Sequence, residues 1–216
     1  MSGCCGHDAK FDGVSADYKR RLWIVIALNA VMFGVEMFAG HAARSQALQA
    51  DALDFLGDAL TYGISLAVIG ASLRVRSIAA MAKGISLLAM GLWVFGSTIW
   101  RVFFTAVPEA NIMGIIGFMA LAANLASVML LVQYKDGDAN VRSVWLCSRN
   151  DAIGNVAVMV AALGVWGTAT GWPDVIVAII MAGLFLSSAF QIIRQSLAER
   201  REQTDHGQDH EHGHAH

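Results

Sequence analysis

Six long apolar runs alternate with short polar stretches along this chain, at about 22–43, 45–73, 83–104, 113–133, 141–166 and 174–194. At ~1.5 Å per residue each run can cross a ~30 Å hydrocarbon core as a helix. The pattern therefore predicts an all-α integral membrane protein of six transmembrane helices. The polar turn 135–140, KDGDAN, is too short for anything but an antiparallel join of spans four and five. Pro108 with Glu109, and the stretch 167–173, mark the turns before spans four and six. The expected organisation is an N-terminal tail at 1–21, a membrane domain at 22–194 and a His-rich tail at 195–216.

Charge sets the expected orientation. Lys19, Arg20 and Arg21 precede the first span, and the turns 2–3 and 4–5 and the C-terminal stretch carry most of the remaining Lys and Arg. Only Arg44 and Arg101 fall on the other side, so both termini are expected in the cytoplasm. The polar first 21 residues do not read as a signal peptide. Composition agrees with the membrane reading, with 56% hydrophobic and 15% charged residues and a mean hydropathy of +0.53. No basic patch interrupts the apolar runs, which argues against a nucleic-acid partner and for the lipid bilayer. Cys4, Cys5 and Cys147 make no disulfide framework and read as thiols.

The polar residues inside the spans change the picture from packing to chemistry. In 46–65, QALQADALDFLGDALTYGIS, the carboxylates Asp51, Asp54 and Asp58 fall at i, i+3 and i+7 and share one helical face, which Tyr62 and Ser65 prolong. Carboxylates in hydrocarbon cost a few kcal/mol each, so a stripe of three marks a working site. The stretch 145–155, WLCSRNDAIGN, repeats the device, with Cys147 and Asp151 at i, i+4 and Asn155 a turn further. Asp54 is nine residues from the outer start of span two and Asp151 ten from the inner start of span five, so both lie roughly 15 Å deep and can meet. Glu36 in span one is a further ionisable candidate. Asn29 and the pair Asn124 and Ser127 read as bonds between helices, Asp174 as a cap on its own helix, and Lys83 and Arg101 as cations snorkelling from the ends of span three.

Asp54, Asp58, Cys147 and Asp151 supply four ligand atoms on facing i, i+4 pairs, which suits a tetrahedral divalent ion such as Zn²⁺ or Cd²⁺. Asp51, Asn155, Glu36 and Asn150 form a second tier, and Arg149 is a candidate counter-ion for Asp51 or Glu36. So many negative groups in a low dielectric must take up either protons or metal, and that competition is the elementary requirement for metal/proton exchange. His206, His210, His212, His214 and His216 read as a solvated, disordered tail able to gather metal near the entry, with CCGH at 4–7 as a thiol-based counterpart. No resident cofactor and no enzyme activity are expected. Two rival classes share these features: a membrane metal sensor or assembly protein that binds without transporting, and an intramembrane hydrolase. The second lacks a Gly-x-Gly-Asp stretch and an activated Ser–His arrangement.

Over about 20–198 the chain resembles the cation diffusion facilitator family of divalent-metal/proton antiporters. The resemblance rests on Asn29 and Glu36 in span one, ADALDFLGDAL in span two, NDAIGN in span five and GWPDVIVAIIMAGL entering span six. It implies that Asp54 and Asp58 match the metal-binding pair of span two and Asp151 the second member of the span-five pair. Cys147 stands where the family usually has His or Asp. The resemblance further implies Zn²⁺ as transported ion, with Cd²⁺, Co²⁺ and Ni²⁺ in reach, a homodimer joined through membrane contacts, and a bacterial inner (plasma) membrane. Only about 22 residues follow span six, so the family's usual C-terminal cytoplasmic domain is expected to be missing, a short form.

Overall fold

A computed structural model of the chain describes residues 15–67, 73–103, 107–134 and 139–212; side chains are left aside at 73–74, 76–77, 139–150, 195–196 and 198–212. Among the described residues there are six α-helices and no strand: α1 (Ala16–Ala42), α2 (Gln46–Ala67), α3 (Leu73–Phe103), α4 (Ala110–Leu131), α5 (Ala139–Thr168) and α6 (Trp172–His212). A 3₁₀ turn, Val132–Tyr134, ends α4. The predicted elements are all present. Five of the helices are long and apolar enough to cross a membrane, and the chain is a multi-pass membrane protein.

The helix outside that set is α2, whose three aspartates depress its hydropathy although its 22 residues reach about 33 Å. It is not left to the lipid. It packs against α1, α3, α5 and α6, and its Ala47, Leu48, Ala50, Leu53 and Phe55 are buried. Burial against other helices is what makes carboxylates tolerable at that depth.

Helix α1 starts with Ser15 as N-cap, its hydroxyl accepting from the Tyr18 N–H at 3.2 Å. Its buried residues Tyr18, Leu22, Val25, Asn29, Met32 and Glu36 recur every three or four positions, one stripe facing α2 and α4. Helices α3 and α6 run together as a close pair, because Gly84 and Gly91 leave no room for a side chain: a Cβ there would stand 2.7 Å from Ile193 and 3.0 Å from Leu186. Large apolar side chains point outward, among them Phe38, Phe103, Met129 and Trp166. That surface suits acyl chains and would not suit water.

Several sequence-based readings need correcting. The membrane-spanning part of α6 ends at Arg194, as expected, but the helix continues through His212, so 204–212 is helical backbone and not a disordered tail. The run AERREQ is rich in helix formers and no proline interrupts it. Asn29 donates to the Val25 carbonyl of its own helix at 2.8 Å, and Ser127 to Ala123 of its own helix at 3.1 Å, so neither joins two helices. A polar side chain in an apolar helix finds its own carbonyl four residues back more cheaply than a partner elsewhere.

Candidate metal site

The carboxylate face of α2, with Asp51 buried and Asp54 and Asp58 half-buried, is organised into two polar layers, one turn apart. In the upper layer Asp51 is 2% exposed and accepts from the Asn155 amide of α5 at 3.3 Å. Asn155, fully buried, in turn accepts from Asn124 of α4 at 2.9 Å. Asn124 is thus the interhelical bond that its position predicted, and it ties α4 to α5 beneath the aspartate. On the other flank Glu36 of α1 is fully buried, and no donor among the described residues reaches either of its oxygens. It faces Asp51 closely enough to share a hydrogen bond once one of the two carries a proton.

In the lower layer Asp54 and Asp58 of α2 both come within hydrogen-bonding reach of Asp151 of α5. The i, i+4 spacing puts Asp54 and Asp58 on the same side of α2, and Asp151 opposes them from the neighbouring helix. Tyr62, one turn beyond, donates its hydroxyl to Asp58 at 2.5 Å. The stripe ends at Ser65, which accepts from the Lys83 ammonium of α3 at 2.8 Å. Lys83 therefore bonds to the end of the aspartate face, where the sequence suggested only a snorkelling cation. Tyr62 was read merely as an extension of the face; its role as a donor to Asp58 is legible from the i, i+4 spacing.

The side chains of Cys147, Arg149 and Asn150 lie outside the described residues, as do those of His206, His210 and His212, while His214, His216, Cys4 and Cys5 lie beyond the described backbone as well. Among the described residues, no three His, Cys, Asp or Glu side chains close around one point so as to hold an ion. Asp54, Asp58 and Asp151 approach one another pairwise, and position 147 falls one turn before Asp151 on the same helix.

Asp174 departs from its expected role. Instead of capping only its own helix, its carboxylate reaches across to the start of α2, accepting from the Ser45 hydroxyl at 2.6 Å, the Gln46 N–H at 2.7 Å and the Ala47 N–H at 3.0 Å. Ser45 completes the cap by accepting from the Leu48 N–H at 3.0 Å. Three of the four N–H groups that a helix start leaves unpaired are thereby satisfied. Ser97 of α3 donates to Gln46 at 3.0 Å, and Arg101 donates to the Arg44 carbonyl at 2.7 Å, closing the turn in which Arg44 has a positive φ of 56°. Arg101 is thus tied to the α1–α2 turn and is not merely a snorkelling end.

A bundle of apolar helices enclosing carboxylates and carboxamides contributed by α1, α2, α4 and α5 defines the class of a polytopic α-helical membrane protein. Residues 22–199 match the cation efflux transmembrane domain, and the chain belongs to the cation efflux (cation diffusion facilitator) family. It is similar to the zinc transporter ZitB of Yersinia pestis, at 27% identity over 195 residues, covering 83% of this chain and 62% of the relative. It is also similar to the metal cation efflux system protein CzcD of Cupriavidus metallidurans, at 24% identity over 191 residues, covering 83% and 60%. The chain spans about six tenths of the length of these curated relatives.

Proposed function

We propose that this chain exports a divalent transition-metal cation of the Zn²⁺ and Cd²⁺ type in exchange for protons, through a site formed by Asp54, Asp58, Cys147 and Asp151. The observation that carries the reading is the approach of Asp54 and Asp58 to Asp151 inside an apolar bundle. Carboxylates so placed must be neutralised, and the two available ways, protonation and metal binding, exclude each other at one oxygen. An ion arriving from one side displaces protons, and protons arriving from the other displace the ion. Access from alternate sides then converts that competition into exchange.

The proposed donor set favours one class of cargo. Two carboxylates on α2 and one on α5 with a thiolate one turn away offer mixed oxygen and sulfur ligands, which favour Zn²⁺ and Cd²⁺ over Mg²⁺ or Ca²⁺. Asp51, Asn155 and Glu36 act behind this set, holding α2 and α5 together and supplying a second pair of carboxyl groups next to it. The positive-inside distribution supports cytoplasmic termini, and the match to the cation efflux domain supports export from the cytoplasm across a bacterial plasma membrane. The experiment is uptake of Zn²⁺ into proteoliposomes carrying a metal-sensitive dye, comparing the wild type with Asp54→Ala. Rapid uptake by the wild type and none by a folded Asp54→Ala supports the site; equal uptake by both removes it.

A further inference from the structure

The first turn of α6 touches both helices that carry the proposed ligands. Asp174, 2% exposed, grips the start of α2 through Ser45, Gln46 and Ala47. The residue before it, Pro173, lies against Gly164 of α5 so closely that a Cβ on Gly164 would stand 2.8 Å from Pro173 Cβ. One turn of one helix is therefore a common reference for α2 and α5. From that level Asp54 and Asp58 are nine and thirteen residues along α2 from Ser45, and Asp151 is thirteen residues along α5 from Gly164. At ~1.5 Å per residue the three carboxylates sit about 14, 20 and 20 Å below the clamp. The level that Asp58 shares with Asp151, with Asp54 about one turn nearer the clamp, follows from where α6 holds the two helices.

We infer that Asp174 is a positioning residue for the cation site: it fixes the axial register of α2 against α5 and so sets the distances of Asp54 and Asp58 from Asp151, without touching the ion. The inference rests on the proposed reading of those three carboxylates as ligands. Backbone bonding is what gives the clamp its axial precision. Apolar side chains between helices slide with little loss over a fraction of a turn, whereas a carboxylate accepting from two consecutive N–H groups and a hydroxyl has one position along the axis. Without the grip α2 remains packed by its apolar residues, but its height is no longer defined by α6. A site whose ligands come from two helices feels such a shift in affinity and in the choice between ions of different radius.

The test is equilibrium binding of Cd²⁺ and of Zn²⁺ to the full chain in lipid nanodiscs by calorimetry, alongside the proteoliposome rates. Asp174→Ala, Asp174→Asn and Gly164→Ala are compared with the wild type and with Asp54→Ala. The expected result for Asp174→Ala is a Kd and a transport KM raised about 10-fold, of the order contributed by groups that orient metal ligands. The Cd²⁺ to Zn²⁺ affinity ratio should move as well, with the maximal rate per folded molecule reduced less than the affinity. Asp174→Asn keeps one acceptor oxygen and should fall between, and Gly164→Ala, which sets a Cβ 2.8 Å from Pro173 Cβ and leaves the Asp174 carboxylate chemically intact, should shift the same ratio. A purely structural role would lower the melting temperature and the yield while leaving Kd, KM and the ion ratio of the folded fraction at wild-type values, and that outcome overturns the inference. If Asp174→Ala does not fold, Asp174→Asn and Gly164→Ala decide: wild-type affinity and ratio in both refute it. Failure of the underlying site reading looks different, since Asp54→Ala would then bind Cd²⁺ as the wild type does.

Discussion

Replacing Asn155 by Ala tests whether the amide chain beneath Asp51 is a working part of the bundle. Asn155 is fully buried, and the substitution removes its donation to Asp51 at 3.3 Å and its acceptance from Asn124 at 2.9 Å. Hydrogen bonds between helices in a membrane are worth ~0.6 kcal/mol on average and up to ~1.7 each. Two such bonds predict a loss of about 1–3 kcal/mol, with the longer bond to Asp51 the weaker unless its charge strengthens it. The cleanest assay is a double-mutant cycle with Asn124→Ala, unfolding each variant in mixed micelles under denaturing detergent. Asn124 and Asn155 should show a coupling of about 0.6–1.7 kcal/mol, because the first mutation already removes the bond that the second would break. A coupling indistinguishable from zero, with Asn155→Ala as stable as the wild type, would refute the claim that this amide pair fastens α4 to α5.

Other expectations follow from the same geometry. Glu36→Gln supplies an N–H where no donor among the described residues reaches the Glu36 oxygens, so it should keep or raise thermal stability by about 1 kcal/mol while lowering transport; a marked loss of stability in the same thermal scan would show that the Glu36 oxygens do have a donor. Cys147→His should keep Zn²⁺ transport and weaken Cd²⁺ relative to Zn²⁺, and Cys147→Ala should weaken both; unchanged Cd²⁺ and Zn²⁺ rates in Cys147→Ala would remove the thiol from the ligand set. Deleting residues 204–216 should raise the KM for metal and leave the maximal rate nearly intact, since a tethered cluster of imidazoles adds to capture and not to the crossing step; an unchanged KM would show the histidines to be dispensable.

What could be read from sequence alone was whatever periodicity and burial cost encode directly. Six apolar runs gave six helices, and the expense of Asp51, Asp54 and Asp58 in hydrocarbon marked α2 as the helix that the others must enclose. The pairing of Asp54 and Asp58 with Asp151 was legible because helical rise makes depth a matter of counting. Partners could not be counted. Asp174 sits 129 residues from Ser45, and nothing in GWPDV distinguishes a carboxylate that caps its own helix from one that caps a neighbour. Lys83 and Arg101 were read as helix-end cations for the same reason: their stems reach either water or a polar atom on the next helix, and only the packing of α3 decides which. Asn29 and Ser127 show the converse, where the nearest carbonyl of their own helix took the bond. The continuation of α6 to His212 was hidden by composition, because a polar, His-rich stretch looks unstructured until a preceding helix is there to extend.

The exchange reading is tested most directly by following metal and protons in the same vesicles. Proteoliposomes of the wild-type chain, with a Zn²⁺ dye and a pH dye trapped together, should accumulate Zn²⁺ against its gradient when the lumen is acid, alkalinise as they do so, and reverse both signals when the pH difference is reversed. Asp54→Ala, Asp58→Ala and Asp151→Ala, each folded, should show neither signal. Zn²⁺ uptake that ignores a pH difference of either sign, or that persists in any of the three variants, would contradict the account.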